Sequence, residues 1–60
     1  MNEKKIRNIL RGAFGNRNYR ITSDSEVHVY GQMPNSEEVG WYFFGHLEDP
    51  DTLARIRELD

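Results

Sequence analysis

Apolar residues recur at helical spacing near the start of the chain. They occupy positions i, i+3, i+4, i+7 and i+8 of one stripe: Ile6, Ile9, Leu10, Ala13 and Phe14. Such a stripe is typical of a helix that packs one side against a core. Asn2 precedes it as a residue that caps helix N-termini, and Gly15 follows it as a residue that ends helices. The pattern predicts a helix over residues 3–14, within which Gly12 would permit close packing.

Apolar and polar residues alternate in the middle of the chain. Residues 19–22 and 26–30 each alternate, and the polar residues 23–25 between them are typical of a turn, so the two runs predict a β-hairpin. A third run, residues 39–45, has Trp41 and Phe43 on one side and Tyr42 and Phe44 on the other. Because both of its sides are apolar, we expect this strand to be the most covered of the three.

A second helix is predicted from about residue 50 onward. Asp49, Pro50 and Asp51 combine a capping residue, a proline suited to the first helical position and an acid favoured by the helix dipole. The apolar side of this helix consists of Leu53, Ile56 and Leu59. The element order is then helix–strand–strand–strand–helix. We expect a single α+β domain over residues 1–60, in two layers, with both helices on one face of a three-stranded antiparallel meander.

The charge of the chain is divided along its length, although the net charge is only −2. Residues 1–20 contain six basic residues and one acid, net +5, whereas residues 21–60 contain two arginines and nine acids, net −7. The absence of cysteine excludes disulfides and thiol chemistry. The longest apolar run, residues 41–44, is far too short to span a membrane, and the charged N-terminus does not resemble a signal peptide. We therefore expect a cytoplasmic protein without a membrane partner.

The residue types that catalysis and metal binding require are sparse. His28 and His46 are the only histidines, and nothing in their spacing suggests a metal site. Ser23, Asp24 and Ser25 precede His28, but a turn explains them and no oxyanion-binding loop is visible. We therefore expect no catalytic residue, no metal and no cofactor, in a protein that is not an enzyme.

One face of the predicted sheet is a candidate protein-binding surface. Its candidate residues are Arg20, His28, Tyr30 and, from the third strand, either Trp41 or Tyr42, because the sequence does not show which side of that strand the helices cover. Trp, Tyr and Arg dominate the hot spots of protein interfaces, and aromatic side chains also stack on nucleic-acid bases. Alternatively, these aromatic residues fill the small core or close a homodimer.

The outer side of the first helix is a candidate nucleic-acid surface. The residues proposed for it, together with those that follow the helix, are Lys4, Lys5, Arg7, Arg11, Arg17 and Arg20. Such a basic patch would contact phosphates. Alternatively, it is a solvated helix surface that complements the acidic remainder of the chain.

Two resemblances extend these expectations. The order of elements resembles that of the double-stranded-RNA-binding domain, whose second helix begins with a lysine-rich phosphate-binding motif. This chain has acidic residues there, 49–52 (DPDT), so the resemblance is one of topology. In sequence, the chain is similar over roughly residues 18–45 to a group of tiny bacteriophage and prophage proteins. The similar segments are residues 18–22 (NYRIT), 27–31 (VHVYG), 33–36 (MPNS) and 40–45 (GWYFFG).

The second resemblance implies a phage setting, in which small proteins often bind a host protein or nucleic acid. The sequence therefore predicts a small non-enzymatic module that binds and modulates a host macromolecule in the host cytoplasm. A protein partner is preferred, and the alternative is nucleic acid bound by the basic side of the first helix. A homodimer is a further expectation, because an aromatic sheet face left uncovered would form an apolar patch of the kind that marks interfaces.

Overall fold

The computed structural model of the protein describes residues 1–60, which form two helices and three strands. In chain order these are α1 (Glu3–Phe14), β1 (Tyr19–Ile21), β2 (Glu26–Gln32), β3 (Val39–His46) and α2 (Pro50–Leu59). The strands pair antiparallel in the order β1-β2-β3. The predicted α+β arrangement with a three-stranded meander is confirmed. Neither helix combines the length and apolar character that crossing a membrane requires.

Capping residues mark the beginning of both helices and the end of α1. The Asn2 side chain accepts a hydrogen bond from the backbone N–H of Lys5 at 2.8 Å and so caps α1. Gly15 ends α1 with a φ of 109°, which an L side chain rarely adopts. The Asp49 carboxylate accepts from the backbone N–H of Asp51 at 3.0 Å and caps α2.

The core lies between the helices and one face of the sheet. It consists of six buried residues: Ile6, Ile9, Leu10, Val27, Val29 and Ile56. Ala13, which the helical stripe includes, is exposed, while Phe14 packs against the core and contacts Phe44 edge to face. The end of the stripe therefore reaches the sheet through one large ring.

The close approach between a helix and a neighbour occurs at Gly45 and not at Gly12. A Cβ atom on Gly45 would lie 2.7 Å from Cγ2 and 3.0 Å from Cβ of the buried Thr52, so α2 packs directly on the backbone of β3. Nothing lies within 4 Å of the corresponding position on Gly12. The expectation that Gly12 permits close packing is therefore wrong, because that side of α1 faces solvent.

The expectation that β3 is the most covered strand is also wrong. β2 is central in the sheet, and it carries the fully buried Val27 and Val29. β3 lies at an edge, where Val39 is 61% and Phe43 is 55% exposed. The helices cover one face only, so alternate side chains of an edge strand remain in solvent however apolar they are.

Candidate functional site

The sheet face away from the helices is the candidate functional site, and we call it the open face. It presents side chains from all three strands: Arg20, His28, Tyr30, Trp41 and Phe43. The strand register brings them together, because Arg20 lies opposite His28 and Tyr30 lies opposite Trp41. His28 in turn lies opposite Phe43 across β2 and β3. Directly opposite residues share a face, so these five side chains form one surface.

Contacts within the open face hold its rings in place. The rings of Tyr30 and Trp41 meet at 66° with centroids 5.7 Å apart, and those of His28 and Phe43 meet at 64° and 5.5 Å. The Arg20 guanidinium lies 4.6 Å from the centroid of the Trp41 ring. Such edge-to-face and cation–π arrangements are favourable geometries. Contacts within the sheet therefore hold the side chains of the open face in a defined arrangement.

Large apolar side chains on the open face remain accessible to solvent. Tyr30 and Trp41 are each 40% exposed, and Phe43 is more exposed still. No other element of the chain lies over them, since α1 and α2 pack on the opposite face with the core. Clustered exposed apolar surface is a feature of interaction sites on soluble proteins, which makes this cluster the candidate site.

Tyr42 belongs to the opposite face from the other four residues of the sequence-based set. It lies opposite the buried Val29 and packs against the core. Phe43 takes its place on the open face. The alternation along β3 does put Phe43 beside Trp41, but both sides of that strand are apolar, so the alternation alone does not show which side faces the helices.

A β-bulge in β3 affects the far end of the same strand. The register shifts by one residue between Val27 and His28, which leaves Phe44 as the extra residue on β3. Phe44 packs against the core, and the Arg55 guanidinium lies 4.3 Å from its ring centroid. The open face consequently ends at Phe43.

The six basic residues of the candidate nucleic-acid surface do not form one patch. Arg20 lies on the open face, on the side of the sheet away from α1. The Arg7 guanidinium pairs with the Glu3 carboxylate at 3.1 Å, and the Arg11 guanidinium donates to the Asn8 side chain at 2.9 Å. The remaining three are exposed: Lys4, Lys5 and Arg17. Local partners thus already occupy two of the basic groups on α1.

Titratable groups on and near the open face are few. The Nε2 atom of His28 lies 3.2 Å from the Glu26 carboxylate, at the border of the open face. No group of three or more His, Asp or Glu side chains is arranged to hold a metal ion. Every buried side-chain nitrogen or oxygen has a hydrogen-bond partner.

Comparison of the chain with protein-family models, with curated proteins and with solved structures found no match.

Proposed function

We propose that this chain is a non-enzymatic interaction module that binds a partner protein through the open face of its sheet. One observation carries the proposal: three large aromatic side chains lie clustered and solvent-exposed on a sheet face that no helix covers, Tyr30, Trp41 and Phe43. Arg20 adds a cation to the same surface. Trp, Tyr and Arg are the residues most enriched in interface hot spots.

The order within the open face supports tight binding. Binding requires that interface side chains lose their rotamer freedom, which costs about 0.5–1.5 kcal/mol for each flexible side chain. Trp41 is already restrained by contact with Tyr30 on one side and with the Arg20 guanidinium. A partner that contacts this cluster would therefore lose less entropy than one that contacts isolated surface rings.

The charges of the open face favour a protein over a nucleic acid. Nucleic-acid affinity depends on several cations along the path of the phosphates. The open face carries a single arginine, Arg20, and the carboxylate of Glu26 lies beside His28. The basic residues of α1 lie on the other side of the sheet, so they do not supply phosphate contacts to bases stacked on Trp41 or Tyr30.

The resemblance of residues 18–45 to small phage proteins gives the proposal its setting. In that setting the partner is a host protein that the module modulates, and the location is the host cytoplasm. The alternative is nucleic-acid binding by the basic side of α1, and the experiment must distinguish it from binding of a host protein through the open face.

The test compares an open-face variant with a control of equal exposure elsewhere. Tyr30→Thr removes one exposed ring from β2, and Leu59→Gln removes an exposed apolar side chain from α2, where Leu59 is 39% exposed against 40% for Tyr30. A partner captured from nuclease-treated host extract is purified and titrated against each variant by calorimetry. We expect Tyr30→Thr to weaken binding at least tenfold, about 1.4 kcal/mol, and Leu59→Gln to leave it within about twofold.

Two outcomes would overturn the proposal. Equal binding of the purified partner by wild type and Tyr30→Thr would place the interface elsewhere. If no protein is captured, but the chain binds added duplex or single-stranded nucleic acid with an affinity that falls steeply with salt and is lost in Lys4→Glu/Arg11→Glu, the alternative would be established.

A further inference from the structure

The backbone of β3 has an unpaired outer edge. The N–H of Tyr30 donates to the Asn18 carbonyl at 2.8 Å, on the β1 side, so the backbone groups of Tyr30 face away from β3. Opposite residues of antiparallel strands alternate between hydrogen-bonded and non-hydrogen-bonded pairs. Tyr30 and Trp41 form a non-hydrogen-bonded pair, so the N–H and C=O of Trp41 point away from β2. The same alternation applies to Val39 and Phe43. No turn, loop or side-chain hydrogen bond uses the backbone of these three residues.

The unpaired edge has defined ends. On one side, the Glu38 carbonyl accepts from the backbone N–H of Met33 at 2.9 Å, which closes the β2–β3 hairpin. On the other side, the Arg55 guanidinium donates to the Phe44 carbonyl and so caps the edge just after Phe43. The segment between these ends is Val39–Phe43, which we call the free edge, and its central residue is Trp41.

The free edge lacks the features that normally prevent pairing. Proteins protect exposed edge strands with proline, charged side chains, β-bulges, or a covering helix or loop. The bulge at Phe44 lies just beyond the free edge and not within it. The free edge contains no proline and no charged residue, and the outward-directed positions are Val39, Trp41 and Phe43. The same three residues carry exposed apolar side chains. The free edge therefore presents both unpaired backbone groups and exposed apolar side chains with which an additional strand could pair.

We propose that two copies of this chain pair antiparallel through their free edges, about a two-fold axis at Trp41. In this register Trp41 faces the second copy's Trp41, and Val39 faces the second copy's Phe43. Each of the three facing pairs would exchange two backbone hydrogen bonds. Directly opposite side chains in a sheet lie on the same face. Trp41 would therefore contact the second copy's Trp41, and Val39 would contact the second copy's Phe43, so that every contact is apolar.

The charges at the ends of the free edge match a second copy. Glu37 and Glu38 precede the edge, whereas Arg55 lies at its far end. Arg55 has no carboxylate within ion-pair distance, although Asp51 lies one turn earlier on α2. Antiparallel pairing brings the acidic end of one copy beside Arg55 of the other, twice by symmetry. An unrelated extended peptide would need to supply this match independently.

The proposed dimer extends the open face without depending on the function proposed for it. A two-fold axis perpendicular to the sheet leaves both open faces on the same side. Trp41 and Phe43 of the two copies would then lie at the centre of one continuous aromatic surface. The helices of both copies would lie on the opposite side.

Val39→Pro tests the pairing directly. The N–H of Val39 points outward and takes no part in the ladder with β2, so proline removes a donor of the dimer and none of the monomer. Val39→Thr is the matched control, since it keeps both the N–H and the β-branched shape. Sedimentation from micromolar to millimolar concentration should show a wild-type dimer. We expect Val39→Pro to raise its dissociation constant at least tenfold and Val39→Thr to change it by less than about threefold, with circular dichroism confirming that both variants fold.

A charge exchange tests the register. Glu38→Arg alone and Arg55→Glu alone each place like charges together in their own homodimers. In an equimolar mixture the mixed dimer has opposite charges at both ends, so we expect it to form at least tenfold more tightly than either homodimer. Tyr30→Thr removes the ring that contacts Trp41 but no backbone group of the free edge, so we expect it to change the dissociation constant of the dimer by less than about threefold. It therefore separates this proposal from the proposed function.

Three results would overturn the proposal. The first is a wild-type monomer throughout the concentration range, whether or not it binds an extended peptide. The second is a dimer that Val39→Pro leaves intact, which would place the interface elsewhere. The third is a mixture of the two charge variants that associates no better than either variant alone.

Discussion

The two faces of the sheet are built from the same three strands, yet they differ in what their side chains contact. On the covered face, Val27 and Val29 of β2 are fully buried beneath the helices. On the open face, His28 and Tyr30 of the same strand contact Phe43 and Trp41 within the sheet, and no helix covers them. Within β2, the larger side chains thus lie on the face that lacks a core. The fully buried core is aliphatic and has Tyr19, Tyr42 and Phe44 packed against it, whereas the aromatic side chains of the open face remain exposed to solvent.

The largest expected loss of stability comes from a substitution on the covered face. Leu10 is fully buried in the centre of the core, and Leu10→Ala would leave a cavity between α1 and the sheet. We expect it to lower the free energy of unfolding by about 2–5 kcal/mol, measured by urea denaturation. A domain of this size has only about 3–9 kcal/mol in total, so the variant would be close to unfolding. Leu59→Ala on the exposed side of α2 is the control and should cost less than about 1 kcal/mol; a similar loss at both sites would contradict the assignment of the core.

A second test concerns the contact of α2 with the covered face. In Gly45→Ala the new methyl group would collide with Thr52, so α2 must move away from β3. Such overpacking typically costs about 1–3 kcal/mol of unfolding free energy. Gly40→Ala in the same strand is the matched control, because its methyl group would meet only Met33 Sδ at 3.8 Å. Equal stability of the two variants would show that α2 does not pack tightly on the strand backbone.

The covered face was more predictable from sequence than the open one. The apolar stripe of α1 and the caps Asn2 and Asp49 are local signals. They determine where the helices begin and which side of α1 is buried through helical periodicity and hydrogen bonds between near neighbours in the chain. The side of β3 that faces the helices depends on long-range packing. Both sides of β3 are aromatic, so alternation leaves either Trp41 or Tyr42 as the open-face residue. The structure places Trp41 on the open face and Tyr42 against the core.

Other features of the candidate site arise only in three dimensions. The contact of Arg20 with Trp41 joins β1 to β3 across the intervening strand. Sequence proximity groups Arg20 with the basic residues of α1, but strand alternation directs its side chain to the other side of the sheet. The cap that Arg55 places on the edge of β3 likewise depends on how α2 docks, and no local pattern indicates it.

A smaller effect is expected on the solvent side of α1. Gly12 lies in the helix interior with open space around it, so Gly12→Ala reduces the freedom of the unfolded chain without creating a clash. We expect the unfolding free energy to rise by about 0.5–1 kcal/mol, seen as a higher urea midpoint with an unchanged slope. Gly15→Ala is the contrasting variant, because its positive φ makes any side chain unfavourable there. Destabilisation by Gly12→Ala would mean that a neighbour packs against this side of the helix after all.

The smallest effect on folding is expected from the open face itself. Phe43 is more than half exposed and contacts His28 edge to face, so Phe43→Thr removes a cross-strand pair but opens no cavity. Threonine keeps a strong preference for strands, and the loss should be about 0.5 kcal/mol, far below that of Leu10→Ala although the removed side chain is larger. Urea denaturation in the Val39→Pro background keeps dimerisation out of the measurement. Val29→Thr on the covered face makes the comparison direct, because its buried hydroxyl should cost about 1–3 kcal/mol. If Phe43→Thr destabilised the monomer as much as Val29→Thr, the open-face aromatics would be part of the folding core, and their exposure would no longer argue for a partner.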